Sequence, residues 1–126
     1  MINNQITNTA RKFDLEDRTT EFAKKVIRLC KEYSNNPINY RLIGQLVGSA
    51  GSIGANYREA NDALGKKDFI LRLRIARKEA KETIHWLELI SEANPHSNEK
   101  ELESIKQEAV ELKNILSAII NKSEYV

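Results

Sequence analysis

Cysteine, proline, glycine and aromatic residues are all scarce in this 126-residue chain, and each shortage excludes something. The single cysteine, Cys30, cannot form an internal disulfide, which fits a reducing compartment. The two prolines are Pro37 and Pro95, and all five glycines lie between 44 and 65. Most of the chain therefore contains nothing that stops a helix. The longest charge-free run, Leu42–Tyr57, has 16 residues and includes Gln45, Ser49, Ser52 and Asn56, so it is too short and polar to span a bilayer. Residues 1–12 have no apolar segment of the kind a secretory signal needs, so a cytoplasmic protein without membrane contact is expected. A net charge of +2 gives no bulk attraction to nucleic acid. What is present is 40% hydrophobic and 30% charged residues, too apolar for a disordered chain and of a length that makes one domain, residues 1–126.

Apolar residues recur at intervals of three and four, with no sustained alternation of strand type. The pattern predicts an all-α fold of four helices. The first covers Leu15–Asn35, with Asp14 as its cap and a stripe of Leu15, Phe22, Val26, Leu29 and Tyr33, flanked by Ala23, Ile27 and Cys30. The second covers Pro37–Leu64, capped by Asn36 and ended by Gly65. The third covers Lys66–Ala93 and stops at Asn94-Pro95. The fourth covers Asn98–Lys122, with Asn98 and Glu101 at near-capping-box spacing. In it Leu102, Ile105, Ala109, Leu112, Leu116 and Ile119 form a seam spaced like a coiled coil. Short connections make neighbours antiparallel, so an up-down-up-down bundle follows. Residues 1–12 and 123–126 read as loose ends.

The second helix divides into three faces. Leu42, Leu46, Ala50, Ile53, Tyr57, Ala60 and Leu64 face the core. Gly44, Gly48, Gly51 and Ala55 form a small face. Gln45, Ser49, Ser52, Asn56 and Glu59 form a polar face without charge until its end. Glycine inside a helix costs ~1 kcal/mol against alanine, and close approach of another helix across the small face would offset that. The polar face is either solvated or a hydrogen-bonded seam between helices or subunits. In the second case Asn56 is buried and Glu59 meets a cation, with Arg72 or Arg77 nearest by topology. A phosphate-binding glycine loop is excluded, because no Gly-Lys-Ser/Thr follows the glycines and no strand precedes them.

The third helix carries a core face of Phe69, Leu73, Ala76, Ala80, Thr83, Leu87 and Ile90. Nearly opposite lie Leu71, Ile75, Trp86 and Leu89, for which a lone bundle has no use. Together with the small face of the second helix they predict a symmetric homo-oligomer. Between the two apolar faces runs a basic stripe of Lys67, Arg74, Arg77, Lys78 and Lys81, with His85 beyond. Residues 66–81 hold seven Lys/Arg against Asp68 and Glu79. The stripe is either a solvated face balanced by Glu99, Glu101, Glu103, Glu108 and Glu111 of the fourth helix, or a row of phosphate contacts. No aromatics interleave with it, which disfavours a base-stacking platform.

No catalytic constellation emerges and no cofactor is called for. Glu82 and His85 make one Glu-x-x-His, whereas a di-iron bundle needs two plus two further core carboxylates. His96 sits in a turn beside Pro95, and Cys30 lies among apolar neighbours as an inert core thiol. Neither a metal site nor an enzyme is expected.

Two blocks carry a resemblance. Ser52-Ile53-Gly54-Ala55-Asn56-Tyr57-Arg58-Glu59-Ala60 resembles the S-[IV]-x-x-N-[IY]-x-E-[GA] signature of a bacterial four-helix-bundle family. Asp68-Phe69-Ile70, Ile75–Thr83 and Trp86–Ile90 resemble its third helix, and the likeness runs from about Phe13 to Ile120. The family includes proteins encoded in intervening sequences of large-subunit ribosomal RNA genes, and it is similar to the accessory variability proteins of diversity-generating retroelements. Ala60 stands where many members have Gly. The resemblance implies a homopentameric barrel of bundles, an RNA- or DNA-binding role, and no catalytic residues. Two functions follow as expectations. One is a non-catalytic oligomeric accessory protein that binds nucleic-acid phosphates through the basic stripe. The other is a scaffold for a protein such as a reverse transcriptase or a ribosome-associated factor.

Overall fold

A computed structural model describes residues 2–125 in backbone and side chains from residue 15 onward. Four α-helices account for nearly all of it: α1 (Ile2–Lys31), α2 (Pro37–Asn61), α3 (Lys66–Ala93) and α4 (Glu99–Glu124). Among the described residues there is no strand. Each helix packs against its neighbours in chain order, and α4 closes the ring onto α1. Among the described residues the α2–α3 interface is the most extensive and the α1–α4 seam the least.

The expected stripes form the core. Phe22 and Val26 of α1, Leu46 and Ile53 of α2, Leu73 and Leu87 of α3, and Leu112 and Leu116 of α4 are all buried. Leu42 and Phe69 are only half-buried at its margin. In α4 the last buried position is Ile120, with Ile119 half-buried, instead of the Ile119 that a strict heptad gives. A straight helix turns every 3.6 residues, so it drifts away from a 3.5-residue pattern over five turns.

The helix ends hold the other differences. α1 starts at Ile2, so Asp14 lies inside it and the stretch expected to be loose is helical through residue 12. Residues 2–13 contain no proline or glycine, and extending an existing helix is far cheaper than nucleating one. At its other end α1 stops at Lys31, short of the expected Asn35, and the Glu32 and Tyr33 N–H groups turn back to the Leu29 and Cys30 carbonyls. α4 continues to Glu124, two residues past the expected Lys122, while Met1 and Val126 lie outside the described residues. α2 ends at Asn61, before the expected Leu64, where the Asp62 N–H turns back to the Arg58 and Glu59 carbonyls at 3.2 Å. Leu64, expected in the core, is therefore in the turn and fully exposed. Gly65 is the N-cap of α3, in extended conformation at φ −159°, and does not terminate α2. Asn98 adopts a left-handed conformation (φ 52°) with no side-chain cap, so the capping box with Glu101 does not form. The tight turn after Pro95 needs positive φ at His96 and Asn98, and Asn tolerates it well.

The expected cap of α2 does form: Asn36 Oδ1 accepts from the Asn39 N–H at 2.8 Å, with Pro37 in the first turn. Asn39 is itself buried. Its Nδ2 donates to Asn94 Oδ1 at 2.9 Å, and Asn94 Nδ2 donates back to Asn39 Oδ1 at 2.8 Å. This reciprocal amide pair ties the start of α2 to the end of α3.

Candidate nucleic-acid interface

The basic stripe sits on the side of α3 next to α4. Lys67, Lys78 and Lys81 are exposed, and Arg77 is half-buried. Arg74 forms an ion pair with Glu124 of α4. Among the described residues, Lys67, Arg77, Lys78 and Lys81 form no ion pair within 4 Å, and Lys78 acts on its chain neighbour Glu79 only through space. Arg72, on the α2 side of α3, reaches its own helix's Asp68 at 3.9 Å.

Among the described residues, no acid of α4 other than Glu124 pairs with this row. Glu108 takes both ends of the Arg18 guanidinium from α1, at 2.6 and 2.8 Å, and Glu111 adds a third hydrogen bond at 3.4 Å. The hydrogen bond to Glu108 is the main cause that holds the Arg18 pKa above its usual range, so this clamp stays charged. Near Arg18, Glu16 binds Arg58 at 2.9 Å and Asn61 at 2.7 Å, joining α1 to α2. On the α3–α4 seam, Lys106 of α4 meets Glu88 of α3 at 3.5 Å. The sequence pattern shows these charges but not their partners, because Arg18 and Glu108 are 90 positions apart.

Lys122 is a cation that helical spacing on α3 does not reveal. It lines an open groove of about 670 Å³ with Lys66, Phe69 and Leu64, at the end of the bundle where α3 begins. Its only signal in the sequence is its place in the last turn of α4.

The polar face of α2 divides. Ser49 is buried, and its hydroxyl lies 2.9 Å from that of Thr83 on α3. Each also reaches a backbone carbonyl, Ser49 that of Leu46 and Thr83 that of Glu79. This is a hydrogen-bonded seam between helices. Ser52 and Asn56 are half-buried at its edge, and Asn56 Nδ2 donates to the Ser52 carbonyl at 2.9 Å. Glu59 is exposed and, among the described residues, pairs with neither Arg72 nor Arg77. It lies past the seam, where α2 turns its polar side outward.

Within the protomer the small face meets nothing. A β-carbon at Gly44, Gly48 or Gly51 would stand in open space, and Ala55 is exposed. The close helix approach is at Gly54 instead, where a β-carbon would come within 2.9 Å of Thr19 Oγ1 on α1. Leu71 and Leu89 are exposed at 52% and 38%. Ile75 is half-buried, and Trp86 packs partly on the core with its ring edge-on to His85 at 4.9 Å. Trp86 therefore serves the bundle as well as its outer face. It also borders a groove of about 800 Å³ with Tyr33, Tyr40, Ile43 and Gly44.

Burial pushes the Cys30 thiol up to about 11, which makes it a poor nucleophile. Among the described residues no group of three His, Cys, Asp or Glu side chains is placed to hold a metal ion. No helix among them is long and apolar enough to cross a membrane.

Residues 11–118 match the family model of 23S rRNA-intervening sequence proteins. The fold is similar to the crystal structure of a protein of unknown function from the S23 ribosomal protein family of Bacteroides thetaiotaomicron VPI-5482. That chain is 39% identical, with a TM-score of 0.75, and the match covers 84% of this chain and 97% of the other. No curated protein matches the chain.

Proposed function

The chain belongs to the 23S rRNA-intervening sequence protein family, and on that footing we propose that it is a non-catalytic, cytoplasmic accessory protein that binds RNA or DNA phosphates through the α3 stripe. The observation that carries this reading is charge left unneutralised. Lys67, Arg77, Lys78 and Lys81 lie on one side of one helix and form no ion pair among the described residues, while Glu108 and Glu111 of α4 are engaged with Arg18 of α1. A row of cations at helical spacing spans ~21 Å. That length matches several phosphates of a duplex, whose charges come every ~1.7 Å of axis.

The protein acts as a homo-oligomer, with five-fold symmetry the form its family resemblance implies. Open glycines at 44, 48 and 51 beside Ala55, and the outward Leu71, Ile75, Trp86 and Leu89, supply surfaces suited to a neighbouring subunit. Repetition around a ring would concentrate the stripes despite a net charge of only +2 per chain. A scaffold for another protein is the second reading, favoured by the exposed Leu71, Leu89 and Tyr40.

Titration of structured RNA and duplex DNA at two salt concentrations tests the first reading. Affinity should fall steeply with salt and depend little on sequence, and removing one phosphate-binding cation should reduce the log–log slope by about 0.9 on B-DNA. The variant of choice is Lys67→Glu with Lys78→Glu and Lys81→Glu, since these side chains are exposed and their replacement spares the bundle. Arg77→Glu would press a carboxylate against the half-buried flank of α3 and confuse binding with folding. If wild type and the triple variant bind alike, or neither binds at low salt, the scaffold reading replaces this one.

A further inference from the structure

We propose that Glu124 is a built-in competitor for the phosphate-binding face: its carboxylate holds the Arg74 guanidinium in the free protein and is displaced when a phosphate arrives. The inference rests on the phosphate-binding reading of the stripe. Among the described residues Arg74 is the one stripe cation that forms an ion pair, and its partner comes from another helix, 50 positions along the chain.

The pair is built to exchange. Both side chains are about half exposed, at 50% and 42%, so water screens the attraction and a phosphate can reach the guanidinium from outside. Carboxylate and phosphate oxygens ask for the same N–H donors, and two anions on one guanidinium repel each other. A nucleic acid can also contact Lys78 and Lys81, one and two turns further along α3, with phosphates next to the one on Arg74, which a single carboxylate cannot do.

Displacement has a structural result. Glu124 lies in the last turn of α4, where negative charge opposes the helix dipole. Arg74 offsets that conflict by bracing the turn against α3. When Arg74 turns to a phosphate, the last turn of α4 loses its brace and loosens. The free protein thus binds more weakly than its five cations alone would allow, and occupancy of the stripe is transmitted to the end of α4.

The test compares wild type, Glu124→Gln and Glu88→Gln in anisotropy titrations of a labelled RNA hairpin at low salt, with hydrogen exchange of wild type before and after saturation. Both substitutions remove one negative charge, but Glu88 partners Lys106 at 3.5 Å and leaves Arg74 untouched. Glu124→Gln should tighten binding about two- to five-fold, the range an exposed ion pair supports. Glu88→Gln should leave affinity unchanged, and amide exchange over residues 121–125 should accelerate when RNA saturates wild type. An unchanged affinity in Glu124→Gln, equal tightening in both variants, or unaltered exchange in the last turn each overturns the proposal. Absence of binding by wild type at low salt is a separate outcome: it removes the phosphate-binding reading itself, and this inference with it.

Discussion

Gly54 and Gly48 lie on the same helix and answer opposite demands. At Gly54 the missing β-carbon lets α2 approach Thr19, whose hydroxyl is fixed by the Glu16 carbonyl at 2.9 Å and cannot swing clear. Gly54→Ala should therefore destabilise the protein by ~1–3 kcal/mol, overriding a propensity gain of ~1 kcal/mol. In a monomer Gly48→Ala meets only open space and should gain ~1 kcal/mol, whereas in a ring that packs this face it should lose that gain. Urea denaturation of both variants checks this, and a stabilised Gly54→Ala would contradict the close approach. The sequence shows that α2 spends helix stability on glycine, but not which glycine is needed. That depends on where α1 lies, and the decisive neighbour is Thr19, a residue no apolar pattern singles out. The Tyr33 hydroxyl is equally hidden from pattern. It is buried without a hydrogen-bond partner among the described residues, and burial pushes its pKa up to about 12.

Among the elements, α3 was the most legible, from Lys66 to Ala93, because Gly65 and Asn94-Pro95 punctuate both ends. The others were legible in their middles and less so at their limits. α2 stops at Asn61 through backbone turns at Asp62, and no proline or glycine announces it. The basic stripe could be read from helical spacing alone, whereas the partners of its acidic counterweights could not. Arg18 illustrates the gap, since its bidentate bond to Glu108 joins α1 to α4 across 90 positions of sequence. Part-buried geometry raises such a pair above the usual surface value, so Arg18→Met should cost about 1–3 kcal/mol. A double-mutant cycle with Glu108→Gln should return a coupling of about 1 kcal/mol at low salt. A coupling near zero would make the clamp incidental to how α1 is held.

For the whole molecule the outer faces matter more than the core. A ring of subunits would cover Leu71 and Leu89 and set α2's glycines against a neighbouring surface. Light scattering at micromolar concentration should then give a mass several times 14.4 kDa, and five times that value for a pentamer. Leu71→Glu with Leu89→Glu should return the protein to monomers that keep their helical circular dichroism, because both side chains point away from the core. A wild type that scatters as a 14.4 kDa particle would remove the assembly and leave the exposed leucines for another protein.

The Arg18 clamp also orders events during synthesis. Of the four helices α1 leaves the ribosome first and can meet α2 early, through Glu16 with Arg58 and Thr19 with Gly54. Its second seam has no counterpart until Glu108 and Glu111 have been translated, after both middle helices are complete. Until then the nascent chain holds a guanidinium and an apolar flank that nothing yet covers. Of these four helices the earliest made is therefore the last to be enclosed, and the ring closes only when α4 reaches back to it.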